Sequence, residues 1–131
     1  MTVKERTYTI PLAPITKKNH QQIRVNQRTG KRFVSPSPQY QDYAQRALWL
    51  LRPRPDKPIS EPVEVRCKFY MPTHRRVDLV NLLEAVDDIL VDAGILADDN
   101  STIVASHDGS RVLYDKQQPR TEITIRGMER A

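Results

Sequence analysis

Along the middle of the chain, apolar and polar residues alternate strictly, which is the pattern of a β-strand with one buried face. The alternation covers residues 62–71, and its apolar positions are Val63, Val65, Cys67, Phe69 and Met71. Cys67 is interpreted as a core residue rather than a nucleophile, because no evident base accompanies it. Shorter stretches of the same kind predict strands at residues 7–12, 102–106, 111–114 and 121–126.

Two turns complete the predicted strand pairs. Residues 23–25 and 31–34 flank a segment ending at Gly30, which suits a basic hairpin with this glycine in the left-handed conformation. The strands at 102–106 and 111–114 are separated by the sequence His-Asp-Gly-Ser, and we expect them to pair with each other. His107 is interpreted there as a turn residue.

Two further stretches repeat apolar residues at helical spacing. Ser37 before Pro38 predicts the start of a helix that continues to about Leu51. Its aromatic residues, Trp49 among them, lie at core-like spacing and are interpreted as packing residues rather than base-stacking platforms. The second helix covers residues 79–93 and ends before Gly94. Its buried stripe consists of Leu79, Leu82, Leu83, Val86, Ile89, Leu90 and Ala93.

These elements predict an α/β (α+β) fold, a mixed β-sheet with two main helices, because strands and helices do not alternate in regular βαβ units. A chain of 131 residues suits one compact domain over residues 1–131. The single cysteine excludes an internal disulfide and a Cys-rich zinc site. No apolar run approaches the roughly 18 residues of a membrane span, so we expect a cytoplasmic protein with no membrane partner.

Charge is distributed very unevenly along the chain. The formal net charge is +5, which favours a polyanionic partner. Residues 17–57 contain ten basic residues and two acidic ones, whereas residues 77–99 contain seven acidic residues and no lysine or arginine. Carboxylates repel phosphates unless a divalent cation lies between them. The charge pattern therefore indicates a metal-dependent contact with a polyanion.

The acidic residues follow a helical spacing. Glu84, Asp88 and Asp92 are four residues apart and project from one side of the second helix, and Asp98 and Asp99 follow in the next turn. We expect Asp99 to return towards the helix start or its polar flank, where such oxygen ligands suit Mg²⁺ or Mn²⁺. Each acid also has a plainer interpretation. The helical acids are consistent with a solvated face, and the others with a helix cap and an ordinary turn.

A specific block of sequence then supports the metal interpretation. Residues 75–82 read RRVDLVNL, and they are followed by DDIL at 87–90, AGIL at 93–96 and the pair Asp98-Asp99. This block resembles the RusA family of small, dimeric, magnesium-dependent Holliday junction resolvases, often carried by phages and prophages. The likeness covers nearly the whole chain, from the first strand and the loop around Asn19 to the last strand. It implies a RusA-like fold, Mg²⁺ (or Mn²⁺) as cofactor, four-way or branched DNA as substrate, and a homodimer.

The resemblance also implies roles for single residues. Asp78 matches the first catalytic aspartate of the family and Asp99 the later one, and Asn81 matches the asparagine after its D-x-D motif. Two positions depart from the family pattern, because Val80 replaces the second aspartate and Glu84 replaces a lysine. Since these two residues are helical neighbours, we hypothesise that Glu84 partly restores the metal site. Asp88 and Asp98 match acids commonly found nearby.

The resemblance therefore gives three sets of site residues. The expected catalytic residues are Asp78, Glu84 and Asp99, and the expected metal ligands are Asp78, Glu84, Asp88 and Asp99. The expected DNA-binding residues are Lys17, Lys18, Arg28, Lys31, Arg32, Arg75 and Arg76. The departures leave two alternatives open, a family member that binds branched DNA without cutting it and a protein-interaction module whose acidic helix binds a basic partner.

Overall fold

The computed structural model describes residues 3–17 and 21–128, without the side chains of residues 21–23 and 34–36. The predicted helices and strands are all present, with ends shifted by a few residues at most. In chain order they are β1 (Arg6–Ile10), β2 (Gln21–Val25), β3 (Arg32–Pro36), α1 (Pro38–Leu50), β4 (Val63–Met71), α2 (Leu79–Asp92), β5 (Val104–Ser106), β6 (Arg111–Tyr114) and β7 (Arg120–Gly127).

The main sheet is mixed, as the sequence predicts. Its strand order is β1-β7-β4-β5, and β6 also pairs with β4. The pairs β1–β7 and β4–β7 are antiparallel, whereas β5 and β6 both run parallel to β4. Strands β2 and β3 form a separate antiparallel hairpin, and Gly30 at its turn has a φ of 71°. Because glycine lacks a Cβ, it adopts this left-handed conformation without strain.

The core lies between one face of this sheet and the two helices. Residues on alternate positions of β4 are buried, and Cys67 among them is fully buried, which confirms its interpretation as a core residue. From the helices, the core receives Tyr40, Tyr43 and Ala47 of α1 and most of the predicted stripe of α2. The opposite face of the sheet carries charged residues that pair with one another, such as Arg66 with Glu64.

The predicted pairing of the strands around residues 107–110 is wrong. Instead of forming a hairpin, β5 and β6 lie end to end along the same side of β4, because the nine residues of β4 offer partners to both. The loop between them satisfies the intervening backbone of β4. The carbonyl of Val65 lies 2.9 Å from Nδ1 of His107, and the amide of Cys67 donates to Oγ of Ser110 at 3.0 Å.

The interpretation of Trp49 as a core residue is also wrong. Its side chain is 75% exposed at the end of α1. A helix turns by about 100° per residue, so Trp49 lies about 200° from the buried Ala47, on the opposite side of α1. The guanidinium of Arg52 lies 5.7 Å from the centre of the indole ring.

Candidate active site

Helix α2 begins at an acidic cap. Oδ1 of Asp78 accepts hydrogen bonds from the backbone amides of Val80 at 2.9 Å and Asn81 at 3.3 Å. Asp78 is therefore the N-cap of α2, and its negative charge is favourable at this end of the helix dipole. The side chain of Val80, one of the two departures from the family pattern, is 68% exposed.

The acidic stripe of α2, formed by Glu84, Asp88 and Asp92, faces Tyr40 of helix α1. Burial raises the pKa of Tyr40, and the negative charges of Asp88, Asp92 and Glu84 raise it further. The phenol is therefore neutral at physiological pH and lies beside carboxylates. Asp88 is half-buried, whereas Glu84 and Asp92 are exposed, as expected for a solvated face.

Asp88 and Asp92 meet the turn after α2 at a polar cavity of about 260 Å³. The cavity is lined by Lys17, Asp88, Val91, Asp92 and Asp99. Asp99 therefore lies at the polar flank of α2, near its C-terminal half, and not at the helix start. Nζ of Lys17 lies 2.6 Å from Oδ2 of Asp88, so a lysine from the N-terminal loop supplies the positive charge that α2 itself lacks.

The turn that carries Asp99 is held by hydrogen bonds of its neighbour Asp98. Oδ1 of Asp98 accepts from the amide of Asp99 at 2.7 Å, and Oδ2 accepts from the side-chain amide of Asn100 at 3.1 Å. These contacts, the amide of Asp99 first, lower the pKa of Asp98. The pKa of Asp99 is raised by desolvation, by its hydrogen bond to Asp98 and by the charge of Asp88.

The side chains that line the cavity are of the kind that binds a hard cation, but they are not positioned as a ready-made coordination shell. Carboxylate oxygens are the ligands that Mg²⁺ prefers, and three aspartates line the cavity. Within residues 3–17 and 21–128, however, no three Asp, Glu, His or Cys side chains lie close enough together to form a preassembled metal group. Lys17 already pairs with one of the three aspartates, Asp88, and would compete with a metal for it.

The structure does not bring all four expected metal ligands together. Asp78 precedes Asp88 by ten residues, which places them about 15 Å apart along the helix axis at 1.5 Å per residue. Asp78 and Glu84 are six residues apart and point to different sides of the helix. Within the described residues, Asp88 and Asp99 of the expected set line a common cavity.

The expected DNA-binding residues lie at different places. Arg75 and Arg76 are exposed in the connection between β4 and α2, where they line a second cavity of about 400 Å³. Thr16 also lines this cavity, and the next residue, Lys17, lines the acidic one, so both cavities border the N-terminal loop. The exposed positions of the β2–β3 hairpin include Arg28, Lys31 and Arg32. Lys18 and Asn19 lie outside the described residues.

A half-buried contact between Asp87 and His107 attaches α2 to the loop between β5 and β6. Oδ2 of Asp87 lies 2.8 Å from Nε2 of His107, whose Nδ1 faces the carbonyl of Val65. A carbonyl only accepts, so Nδ1 donates, and Nε2 donates to Asp87 when the ring is protonated. This arrangement, the hydrogen bond to Asp87 first, raises the pKa of His107. Burial raises the pKa of Asp87, and the His107 contact opposes that rise.

This pair predicts a stability that falls with rising pH. In the folded protein the pKa of His107 is above the ordinary 6.5. The contact with Asp87 therefore contributes fully to the free energy of unfolding below about pH 6.5, and this contribution is lost as the pH rises through the raised pKa. Urea denaturation from pH 5.5 to 9 should show this decrease, and His107→Gln should remove it. His74→Gln, a substitution at an exposed histidine, is the control. An unchanged pH dependence in His107→Gln would contradict the assignment.

Three features of the site were not predicted from the sequence. Asp92 lines the acidic cavity, and its spacing of four residues from Asp88 was the signal that could have placed it there. The pairing of Lys17 with Asp88 joins residues 71 positions apart, and local sequence carries no signal for it. The same holds for His107, which was interpreted only as a turn residue but bonds to Asp87.

An acidic cavity and an arginine-lined cavity that border the same loop are an arrangement expected of an enzyme that acts on a polyanion. The sequence model described as endodeoxyribonuclease RusA matches residues 11–126, all but the first ten and the last five residues of the chain. The protein therefore belongs to the RusA family and is a nuclease by family. No curated protein matches the chain. In the part of the chain that the structure describes, neither helix has the length and apolar character needed to span a membrane.

Proposed function

We propose that this protein is a magnesium-dependent endodeoxyribonuclease that cleaves four-way or branched DNA and acts in DNA recombination and repair. Membership of the RusA family supports the nuclease chemistry and the branched substrate. The observation that carries the proposal is the placement of Asp88, Asp92 and Asp99 around one cavity, with the exposed Arg75 and Arg76 at a second cavity on the same N-terminal loop. Mn²⁺ is an alternative cofactor of the same ligand preference.

The acidic cavity is the proposed metal site. Asp88 and Asp99 would hold the ion, with Asp92 at the cavity wall and Glu84 one helical turn away. Mg²⁺ bound there would activate water and offset the charge that develops on the phosphate. Lys17 pairs with Asp88 and so offsets the charge of one of the three carboxylates before a metal binds. Once displaced from Asp88, its ammonium would lie at the cavity edge, where it can contact a DNA phosphate.

The arginines next to α2 form the proposed DNA-binding edge. On the open face of the sheet, Arg120 pairs with Asp115 at 2.9 Å and with Glu122 at 2.8 Å, so its charge is already used. In contrast, Arg75 and Arg76 form no ion pair with a carboxylate in the described part of the chain, and they remain available for phosphates. Lys31 and Arg32 of the hairpin, with Arg28 and Lys18, would extend this contact.

Asp78 keeps its proposed catalytic role at the other end of α2. Its Oδ1 caps the helix, and the residue is exposed two positions after Arg76 in the sequence, at the proposed DNA-binding edge. We also propose that the protein is a homodimer, because a four-way junction has two-fold symmetry and two active sites would cut its opposing strands. The proposed location is the cytoplasm.

The proposal is tested with a synthetic four-way junction and a linear duplex of matched sequence. In Mg²⁺ or Mn²⁺ we expect paired nicks in the junction, no cleavage with EDTA, and little cleavage of the duplex. Tight junction binding without cleavage in either metal would contradict the nuclease proposal. That result would favour a protein that binds branched DNA and does not cut it. The Lys17–Asp88 ion pair supports this second candidate, because Lys17 would compete with a metal for Asp88.

A further inference from the structure

Two exposed aromatic rings are stacked beside the arginine-lined cavity. His74 lies in the connection between β4 and α2, and Tyr114 is the last residue of β6. Their ring centres are 3.8 Å apart and their planes differ by 25°, a stacked arrangement. Tyr114 is 45% exposed, and His74 is exposed as well. We refer to His74 and Tyr114 as the aromatic platform.

The backbone fixes the aromatic platform next to the cavity. Tyr114 is opposite Met71 in the pairing of β6 with β4, and the amide of Asp115 donates to the carbonyl of Met71 at 2.9 Å. Met71 and Thr73 line the cavity that also contains Arg75 and Arg76. The platform is therefore attached to the rigid sheet, and two exposed arginines follow it directly in the sequence.

Among the described residues, no other exposed ring is stacked on a second one, and Phe33, which follows Lys31 and Arg32 in the hairpin, has no stacking partner. Trp49 is more exposed than Tyr114, but no ring stacks on it and the guanidinium of Arg52 lies over it. Tyr70, on the neighbouring strand, has its ring covered by Arg120 at 3.8 Å. The aromatic platform instead combines flat apolar surface with adjacent positive charge that is unpaired in the part of the chain described.

We infer that the aromatic platform stacks on a nucleobase of branched DNA whose face is left uncovered at the branch point. Every base has a π-face that an aromatic side chain can cover, and arginines that follow such a surface can bind the phosphates of the same strand. A base inside a continuous duplex is covered on both faces, so the platform would favour branch points over linear DNA. This inference rests on the proposed function. It states which part of the branched DNA the proposed DNA-binding edge recognises.

The inference is tested with 2-aminopurine, a fluorescent base whose emission reports stacking. One junction carries it at the branch point, and a second carries it within an arm. Titrations in EDTA separate binding from cleavage. With the wild-type protein we expect a fluorescence change at the branch point only. Tyr114→Leu should remove that change and weaken junction binding about 5- to 150-fold, the range for one aromatic–base stack.

Three further variants make the result specific. Tyr114→Phe retains the ring and should bind within twofold of the wild type, whereas His74→Ala should behave like Tyr114→Leu. Trp49→Leu removes a more exposed aromatic ring from helix α1 and should have no effect. Because the substituted side chains are exposed, thermal melting should show all variants folded.

The outcomes of this test and of the cleavage test are distinguishable. If the wild type never cuts the junction and Tyr114→Leu loses the fluorescence change, the platform is supported and the nuclease proposal is contradicted. Cleavage together with wild-type binding and fluorescence in Tyr114→Leu would overturn the platform and leave the nuclease proposal standing. The absence of any branch-point fluorescence change with the wild type would overturn the platform as well.

Discussion

Asp88→Asn and Asp99→Asn are each expected to reduce cleavage of a four-way junction by about 100-fold or more, which corresponds to roughly 3 kcal/mol of transition-state stabilisation. Both side chains line the same cavity, and each substitution replaces an ionised ligand with a neutral amide of nearly the same size. Asp88→Asn also leaves Lys17 without its carboxylate partner. Single-turnover cleavage rates in Mg²⁺, with the protein in excess, measure the effect directly.

Matched variants separate a catalytic loss from a general effect of lost charge. Asp42→Asn removes an exposed carboxylate from α1, where it pairs with Arg46, and should cleave at the wild-type rate. Junction binding in EDTA should persist in Asp88→Asn and Asp99→Asn, because neither substitution removes a positive charge. Wild-type cleavage rates in both variants would contradict the placement of the metal site in this cavity.

Asp78 and Glu84 require their own comparison. Asparagine caps helices about as well as aspartate, so Asp78→Asn should cost no more than about 1 kcal/mol, the loss of the charge at the helix dipole, while it reduces cleavage, as the proposed catalytic role demands. Glu84→Gln tests whether this residue compensates for Val80. If metal affinity and cleavage stay unaltered in Glu84→Gln, the hypothesis that its carboxylate takes over from the missing aspartate is wrong.

Phe69→Ala is expected to lower the free energy of unfolding by about 3–5 kcal/mol. Phe69 lies in β4, the strand that pairs with β5, β6 and β7, and its side chain is 1% exposed. Removal of the ring forfeits its burial and leaves a cavity between the sheet and the helices. Since small domains are stable by only about 5–15 kcal/mol, this is a large part of the total.

The chain offers a close control for this prediction, because it contains only two phenylalanines. Phe33, in the β2–β3 hairpin, is 47% exposed, and Phe33→Ala should change the free energy of unfolding by no more than about 0.5 kcal/mol. Urea denaturation of both variants measures the difference. Equal effects of the two substitutions would mean that β4 does not form the core described here.

Most of the fold follows from local sequence. The alternation along β4 and the helical stripe of α2 identify the buried faces, and Ser37, Asp78 and Gly94 mark helix ends that the structure confirms. The pairing of β5 and β6 could not be predicted. A four-residue turn with Gly109 can close a hairpin between two strands, and it can equally connect two short strands that both pair with a third strand. What decides between them is the length of β4 and the contacts of His107 and Ser110 with its backbone.

The candidate site was only partly predictable for a related reason. Spacing by four residues places Asp88 and Asp92 on one side of α2, and the short turn after the helix returns Asp99 to that side. The same spacing arguments say nothing about the distant N-terminal loop, so Lys17 was predicted as a DNA contact and not as the partner of Asp88. The stacking of His74 on Tyr114 likewise joins residues from two separate elements.

The central claim is that the acidic cavity formed by Asp88, Asp92 and Asp99 binds the catalytic metal. A crystal structure of the protein soaked with Mn²⁺, with anomalous scattering to locate the ion, tests it most directly. The account predicts an anomalous peak in this cavity, within coordination distance of Asp88 and Asp99, with Lys17 displaced from Asp88. A peak elsewhere on the protein, or an intact Lys17–Asp88 ion pair with no ion in the cavity at saturating Mn²⁺, would contradict it.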